Sequence, residues 1–356
     1  MKLSDMVGVE VPGSSQSRRL AFEVVEGDIM SFAADLVAFK YARIFHGADR
    51  VAIRLLAWTG IDIQTLQPGV GEHCLVETDR ALAARQALFV GVPPLRDFKY
   101  QQLREFGASV VRILADEVPG CRHLAMTLHG PNYGLDEVEA LLSMLTGCME
   151  GVAERPPPNL DRISVVERDA SRAGRLRRAL QQASHHSGEV SIAEAERGWL
   201  VQLEGATGLT GASAEELSQL PGASSERKPH IFVAMPFAEA FDDLFEFGIQ
   251  RPIRELGFLC ERSDQDVFTG DVLDRIKSQI EASTAIVAVL TGANPNVYLE
   301  VGYAWGRGRP TILVTEDAED PRFDLRGQRY LKYRHIKDVE KTLTRELRIL
   351  RDQGGI

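Results

Sequence analysis

The chain has 356 residues, of which 44% are hydrophobic and 26% charged, so it can bury more than one core, and its length predicts two or three domains. A formal net charge of −10 argues against nucleic acid as the main partner. No apolar run reaches the length of a membrane-spanning helix, and residues 1–11 lack the basic start and apolar core of a signal peptide. The sequence therefore predicts a cytoplasmic protein without a membrane partner. The four cysteines lack metal-ligand spacing, and we expect free thiols, no metal and no cofactor.

Strand and helix patterns alternate along the first half of the chain. Apolar runs typical of strands occupy residues 20–26, 34–39, 74–77, 87–92, 123–128 and 163–167. Helical spacing is found at residues 48–58, 101–117 and 135–152, and after the last strand. We predict a first domain over residues 1–185.

Two short motifs in this half suggest a nucleotide ligand. One is Gly27-Asp28-Ile29 after the first strand, and the other is the glycine-bearing run Gly130-Pro131-Asn132-Tyr133-Gly134 before a helix. This half resembles a macro domain, or the macro-like N-terminal domain of leucine aminopeptidases. The resemblance implies a sensing domain in which Asp28 contacts adenine. It also implies that Gly130, Asn132, Tyr133 and Gly134 line an ADP-ribose-like pocket, where backbone N–H groups at a helix start hold a diphosphate.

The same motifs have plainer interpretations. A Gly-Asp-Ile triplet is common by chance, and a run of Gly, Pro and Asn is also an ordinary turn. Where macro domains place an asparagine-rich element, this chain has Ala38-Phe39-Lys40-Tyr41. That departure argues against an intact de-ADP-ribosylating site and leaves open whether the pocket binds something else or nothing.

Composition changes between the halves. Residues 186–228 are rich in Ser, Gly, Ala and Glu, which is typical of a linker. Residues 192–203, with Trp199 and Leu200, interrupt this polar stretch, and we predict a short amphipathic helix there. The final domain is then predicted over residues 229–356.

This last domain also alternates strands with helices. Apolar runs at residues 230–235, 258–261, 285–290 and 310–315 predict strands, and helical spacing occurs at 239–256 and 270–282. Asn294 is placed to cap a further helix, with Pro295 at its first position. The alternation predicts a parallel sheet with right-handed crossovers. The predicted fold class is therefore α/β with two doubly wound domains, a macro-like three-layer α/β/α domain followed by a flavodoxin-like parallel sheet.

Three motifs give this domain a second resemblance. They are FVAMPF at 232–237, the Ile and Ser pattern at 276–283, and TGANPNVYLEVGYAWGRGRPTILV at 291–314. The domain resembles the superfamily of TIR-like and nucleoside 2-deoxyribosyltransferase-like proteins, in which the glutamate of an E-x-G-x-A element acts at the anomeric carbon during cleavage of an N-glycosidic bond. The resemblance implies that Glu300 is the catalytic residue. Relatives often carry an acidic residue in the strand before the Thr-Gly element, where this chain has Val289.

The predicted substrate site surrounds Glu300. Loops at the carboxyl edge of a parallel sheet commonly bind ligands, and the loops of this domain contribute polar and aromatic side chains there. Carboxylates suit ribose hydroxyls, and aromatic rings suit a base. The predicted substrate-binding residues are Met235, Pro236, Phe237, Asp264, Asp266, Thr291, Asn294, Asn296 and Tyr303.

The leading hypothesis is an N-glycosidase that cleaves the ribosyl–base bond of NAD+ or a related nucleotide. NAD+ is here a substrate, an ADP-ribose-like molecule is a second expected ligand, and the protein is expected to be a homo-oligomer. By analogy of domain order, such proteins resemble effectors of bacterial anti-phage defence, with the first domain as sensor. A non-catalytic nucleotide-binding module and an enzyme of free nucleosides are the alternatives, and Val289 favours the non-catalytic one.

Overall fold

The computed structural model describes residues 20–45, 47–185, 190–195, 198–203, 214–262, 270–316 and 330–352. The chain forms two compact units. The first comprises Met1–His129 and Val138–Glu226, and the second comprises Gly130–Glu137 and Arg227–Ile356. Residues 214–226, which the sequence assigned to a linker, thus belong to the first unit. None of the helices within the described ranges is long and apolar enough to cross a membrane.

The first unit contains an eight-stranded sheet in the order β3-β4-β2-β5-β6-β1-β8-β7. The pairings β1–β6, β6–β5, β5–β2 and β2–β4 are parallel, while β3, β8 and β7 run antiparallel to their neighbours. The strands are β1 (Ala21–Glu26), β2 (Leu36–Tyr41), β3 (His73–Glu77), β4 (Gln86–Gly91), β5 (His123–Met126), β6 (Arg162–Glu167), β7 (Val190–Ala195) and β8 (Gly198–Leu203).

Helices and apolar side chains complete this unit. The helices are α1 (Gly47–Ala57), α2 (Tyr100–Glu117), α3 (Glu137–Glu154), α4 (Ala170–His185) and α5 (Ala214–Ser218). The continuous apolar runs of the parallel strands are explained by burial, since Leu36, Val37 and Ala38 are all fully inaccessible to solvent. The Phe39 and Phe89 rings stack in this core with centroids 5.3 Å apart.

The predicted helix over residues 192–203 is wrong. Residues 190–203 instead supply strands β7 and β8, which pair with each other, and β8 pairs with β1 through Ala21↔Gln202 and Phe22↔Val201. The sequence does show period-two alternation through Trp199, Val201 and Leu203. Pairing with β1 extends the sheet on a side that would otherwise expose unpaired N–H and C=O groups.

The second unit contains a five-stranded, fully parallel sheet in the order β10-β9-β11-β12-β13. Its strands are β9 (His230–Ala234), β10 (Leu259–Glu261), β11 (Ala285–Val289), β12 (Thr311–Glu316) and β13 (Tyr330–Tyr333). Its helices are α6 (Arg251–Glu255), α7 (Gly270–Ala282), α8 (Pro295–Gly306) and α9 (Ile336–Asp352), with a π-helical stretch at Leu244–Gln250. Counted within the unit, this order is 2-1-3-4-5, the flavodoxin-like order. The predicted two-domain α/β fold class is confirmed, with a mixed sheet in the first unit and a parallel sheet in the second.

Alternate residues of β11 serve two different cores. Ala285, Val287 and Val289 pack with a cluster that includes Leu244 and Phe245. The intervening Ile286, Ala288 and Leu290 pack with side chains of α7 and α8, among them Ile276, Val297 and Val301. Val289 therefore lies on the sheet face opposite α8, the helix that carries Glu300.

Candidate active site at the carboxyl edge of the second sheet

The candidate site lies where the strand order of the second sheet reverses. β9 has its sequence neighbour β10 on one side and β11 on the other, which makes the β9–β11 boundary the topological switch point. Ligands of open α/β sheets bind outside the carboxyl ends of the strands at such a boundary. Met235, Pro236 and Phe237 directly follow β9, and Thr291 follows β11 by two residues, so the structure brings these predicted residues to one edge.

A tight turn connects β11 to α8. The N–H of Ala293 donates to the carbonyl oxygen of Leu290 at 3.0 Å, and the φ angles of Gly292 and Ala293 are 80° and 50°. A left-handed alanine carries a steric cost of about 1–2 kcal/mol, so this turn is held in place by its surroundings.

The start of α8 follows the predicted pattern. Asn294 is the N-cap with φ −63° and ψ 122°, its Oδ1 accepts the N–H of Asn296 at 2.9 Å, and Pro295 occupies the first turn. Both predictions are confirmed. The side chain of Asn294 is thereby used as a cap, while that of Asn296 is exposed.

Glu300 projects from the second turn of α8 beside the buried stripe of this helix. Val297, Val301 and Ala304 form that stripe, and Glu300 is three residues from Val297 and four from Ala304, which leaves its side chain half-buried. Burial raises the pKa of the Glu300 carboxyl to about 8. Within the described ranges, Glu300 has neither a hydrogen bond nor an ion pair that would compensate for this loss of solvent. Carboxyl groups with such shifts are concentrated at functional sites.

Two other predicted residues mainly join elements together. The Thr291 hydroxyl accepts the N–H of Glu316 at 3.1 Å and lies 3.2 Å from the hydroxyl of Tyr333, which ties the ends of β11, β12 and β13. The Tyr303 hydroxyl donates to Glu281 of α7, and this hydrogen bond raises the tyrosine pKa. Tyr303 thus has a polar contact between α7 and α8, beside its predicted role as a stacking ring.

Arg262, which the sequence analysis did not single out, follows β10 and contacts side chains of the loop after β9. The Arg262 guanidinium lies over the rings of Phe237 and Phe245, 4.6 Å and 4.3 Å from their centroids, and its Nη1 is 3.6 Å from Sδ of Met235. Phe237 remains 37% exposed, whereas Met235 is buried. Asp264 and Asp266 lie outside the described residues.

The predicted residues of the N-terminal pocket fall into different units. Asp28 belongs to the first unit, is exposed, and accepts the N–H of Met30 at 3.0 Å to close a turn. Gly130, Tyr133 and Gly134 belong to the second unit, and the side chain of Asn132 is outside the described set. The N–H groups of Tyr133 and Gly134 donate to the carbonyls of Gly130 and Pro131 at 2.8 Å and 2.9 Å, so the loop itself uses two of its N–H groups.

The first unit contains a buried polar cluster that sequence reasoning missed. Nζ of Lys40 in β2 lies 2.6 Å from Oδ2 of Asp49 in α1, and both side chains are almost fully inaccessible to solvent. Oδ1 of Asp49 and Nε2 of His129 are buried without a hydrogen-bond partner among the described residues. Burial raises the pKa of Asp49 against the influence of Lys40, while burial and the Lys40 charge hold the pKa of His129 well below its usual value. The sequence signal was a charged residue, Lys40, within an apolar strand.

No protein-family profile matches the chain, and neither does any curated protein. Among solved structures, it is similar to a variant of the Oceanobacillus iheyensis macrodomain, with 12% identity, coverage of 46% of this chain and 93% of that chain, and a TM-score of 0.37. It is also similar to a Trypanosoma brucei macrodomain in complex with ADP-ribose, with 15% identity, coverage of 49% and 74%, and a TM-score of 0.36. An alphavirus P23pro-zbd structure matches at 10% identity, with coverage of 87% and 46% and a TM-score of 0.36. At these values, function has to be argued from the residues of this chain.

Proposed function

We propose that the second unit is an N-glycosidase that cleaves the ribosyl–base bond of NAD+ or a related nucleotide, with Glu300 as the catalytic residue. The observation that carries this proposal is the half-buried Glu300 carboxyl, whose pKa is raised to about 8 and which has no partner within the described residues. It lies on the helix that follows β11, next to the switch point of a flavodoxin-like sheet.

The electrostatics of Glu300 favour a cationic reacting group. A carboxylate held away from water and from positive side chains is stabilised strongly by a positive charge placed next to it. The pyridinium of NAD+ carries such a charge, and so does the oxocarbenium-like sugar formed as the bond breaks. A neutral nucleoside provides only the second of these. Ground-state binding of the pyridinium therefore lowers the Glu300 pKa and ionises the residue for catalysis.

The reaction needs only the substrate, water and this carboxylate. The bond between the ribose anomeric carbon and the ring nitrogen breaks, and its electron pair leaves with the base, which neutralises the pyridinium. The carboxylate stabilises the resulting positive sugar or bonds to its anomeric carbon, as in retaining glycosidases. Water then adds at that carbon and releases a proton, giving ADP-ribose and nicotinamide. The guanidinium of Arg262, over Phe237 at the same edge, supplies a positive charge that suits the phosphates of a nucleotide.

The Val289 position does not weigh against this proposal. Val289 packs in the core on the face opposite α8. An acidic side chain there would be directed away from the face that carries Glu300 and into an apolar cluster.

The test is chromatographic detection of released base. Concentrated wild-type protein, Glu300→Gln and the matched control Glu255→Gln are incubated with NAD+, NADP+ and a nucleoside panel, with and without ADP-ribose as an activator. Glu255 is an exposed residue of α6 paired with Arg251 at 2.9 Å, and its variant is expected to keep wild-type activity. We expect Glu300→Gln to lose at least about 1,000-fold in kcat/KM. Release by none of the three proteins under any condition contradicts the enzyme proposal.

The pH profile identifies the protonation state that acts. If the carboxylate is the active form, kcat/KM rises with pH through about 8, because the free protein must first lose the Glu300 proton. A fall over the same range with NAD+ would contradict the carboxylate mechanism, because nicotinamide leaves as a neutral base and needs no proton. With a neutral nucleoside as substrate, the same fall would assign Glu300 the role of proton donor to the leaving base.

The same pKa supports one alternative function. At pH 7 the free carboxyl is mostly protonated and can donate a hydrogen bond, so a non-catalytic module that binds a neutral nucleoside or nucleotide base also fits. Saturable nucleotide binding by wild-type protein, weakened by Glu300→Ala and without base release, would establish this module. A role in anti-phage defence, with the first unit as sensor of an ADP-ribose-like ligand and activation in a homo-oligomer, rests on domain order alone.

A further inference from the structure

We propose that Asp136 is a positioning residue for the candidate active site, acting through β10 and Arg262. The effect of Asp136 on the position of β10 is independent of the proposed function, whereas its effect on substrate cleavage rests on that function. Asp136 lies in the Gly130–Glu137 segment, which is distant in sequence from Arg227–Ile356 but belongs to the same compact unit.

The Asp136 carboxylate is completely buried and pairs with two parts of the second unit. Oδ2 accepts the N–H of Cys260 in β10 at 2.9 Å, and Oδ1 accepts from Nη1 of Arg254 in α6. A buried carboxylate is costly unless it is paired and hydrogen-bonded, and Asp136 has both kinds of partner. It therefore fixes the position of β10 relative to the helix that precedes it.

The rest of the segment is held in the same unit by further contacts. Nε2 of Gln250 donates to Oε1 of Glu137 at 3.0 Å, and both residues are buried. The carbonyl oxygen of Tyr133 accepts from Nε of Arg275 at 2.5 Å and from Nε2 of Gln279 at 3.3 Å. Gly134 has a φ of 92°, a left-handed conformation that a residue with a Cβ adopts only under strain, so the turn favours glycine at this position.

β10 connects Asp136 to the site. Cys260 is the middle residue of this three-residue strand, and Arg262 follows its end directly. The Arg262 guanidinium lies over Phe237, the partly exposed ring that follows β9 at the switch point. A shift of β10 away from Asp136 would move Arg262, and with it the ring and the charge that the proposed substrate meets.

Hydrogen exchange of the full-length protein tests the positioning step without reference to activity. Asp136→Ala removes both contacts, whereas Asp136→Asn keeps an acceptor for Cys260 and loses the charge opposite Arg254. We expect exchange in peptides covering 258–262 and 232–241 to accelerate about 10- to 100-fold in the alanine variant and less in the asparagine variant. Peptides of the first unit should be unchanged.

Asp35 provides a matched control. Its Oδ2 accepts the N–H groups of Arg122 and His123 at 2.9 Å and 3.0 Å, so a partly buried carboxylate there holds a strand of the first unit through backbone N–H groups. Asp35→Ala should accelerate exchange around residues 122–123 and leave 258–262 and 232–241 at wild-type rates. Unchanged exchange at 258–262 in both Asp136 variants overturns the proposal. If Asp136→Ala does not fold, exchange at residues 258–262 in Asp136→Asn alone decides between the two outcomes.

Base release adds a readout that a purely structural role would not move. Asp136→Asn should raise the KM for NAD+ about tenfold with little change in kcat, and Arg262→Gln should do the same. Asp136 is proposed to act by placing Arg262 over Phe237, so its substitution should have no further effect once Arg262 is replaced. The KM of the double variant Asp136→Asn/Arg262→Gln should therefore match that of each single variant. Additive KM effects would exclude the route through Arg262. Absence of base release from wild-type protein would contradict the proposed function, while the exchange result would still decide whether Asp136 positions β10 and Phe237.

Discussion

Glu300 is a case in which one side chain links burial, stability and the chemistry of the site. Its pKa is about 8 in the folded protein, whereas the unfolded chain restores the ordinary value near 4.3. Between these values the folded state holds more protons than the unfolded state. The contribution of this group to stability is therefore greatest at low pH and is lost as the pH rises through about 8.

A glutamine at position 300 cannot ionise, so it should remove the loss of stability that ionisation of Glu300 causes at high pH. We expect Glu300→Gln to raise the free energy of unfolding by about 2 kcal/mol at pH 8.5, allowing for solvent screening of a half-buried group, and to change it little at pH 5. Urea denaturation at the two pH values measures this, with Glu255→Gln as the exposed control. An equal effect of Glu300→Gln at both pH values would contradict the assigned burial of the carboxyl.

Removing a charge from the buried Lys40–Asp49 pair should destabilise the protein, whereas removing the charge of Glu300 should stabilise it. Lys40→Met leaves Asp49 buried without its counter-charge, and we expect a loss of about 3–5 kcal/mol in the free energy of unfolding. The double variant Lys40→Met/Asp49→Leu replaces the pair with apolar side chains and should recover most of that loss. Urea denaturation of the two variants gives the comparison. A double variant no more stable than the single one would show that the pair is needed for another reason.

Interactions between residues that are close in the sequence could be predicted from the sequence. Asn294 and Pro295 act within one helical turn, so their roles follow from residue type and order. Arg262 and Asp136 could not be found in this way. Arg262 is close to Phe237, and Asp136 to Cys260, only because the chain folds back over many residues.

At the scale of elements, the strength of the sequence signal decided what could be predicted. The buried parallel strands of the second sheet are short apolar runs between helices of clear spacing, and β9 to β12 lie where the sequence predicted them. β7 and β8 were missed because a stretch that includes Trp199 and Leu200 was interpreted with helical rather than period-two spacing. β13 and α9 complete the second sheet and its helical layer beyond the last predicted strand.

The start of α8 is the element whose stability bears directly on the site. Replacing the cap by Asn294→Ala removes the acceptor of the Asn296 N–H, and we expect a loss of about 1 kcal/mol in the free energy of unfolding. Asn294→Asp keeps an acceptor and adds a charge that the helix start favours, so it should lose little. Asn296→Ala, which keeps the capped backbone N–H and removes only an exposed side chain, is the control. Equal losses in thermal or urea unfolding for all three variants would contradict the capping role.

At the scale of the whole molecule, the second unit is discontinuous in sequence. The sequence predicts boundaries after residues 185 and 228, whereas the compact units divide between His129 and Gly130, between Glu137 and Val138, and between Glu226 and Arg227. It did not predict that Gly130–Glu137 would belong to the second unit. Sequence patterns describe neighbours along the chain, whereas Gly130–Glu137 contacts residues of the second unit more than a hundred positions away, among them Arg254 and Cys260.

The discontinuity predicts how fragments respond to one substitution. Fragment 1–226 contains Asp136 but lacks Arg254 and Cys260, so Asp136→Asn should destabilise it less than it destabilises the full-length chain. In the full-length chain the same substitution should lower the free energy of unfolding of the second unit by about 1.5–3 kcal/mol, since a hydrogen-bonded charge is lost. Asp35→Asn should destabilise fragment 1–226 and the full-length chain alike, because Arg122 and His123 are present in both.

Urea unfolding followed by hydrogen exchange measures the two units separately. Fragment 227–356, which lacks the segment, should unfold at lower urea than the same residues in the full-length chain, because Cys260 and Arg254 have lost Asp136. If Asp136→Asn destabilises fragment 1–226 as much as the full-length protein, the segment owes its stability to the first unit. An effect confined to the full-length chain would instead show that residues from the two halves of the sequence make one folding unit around β10.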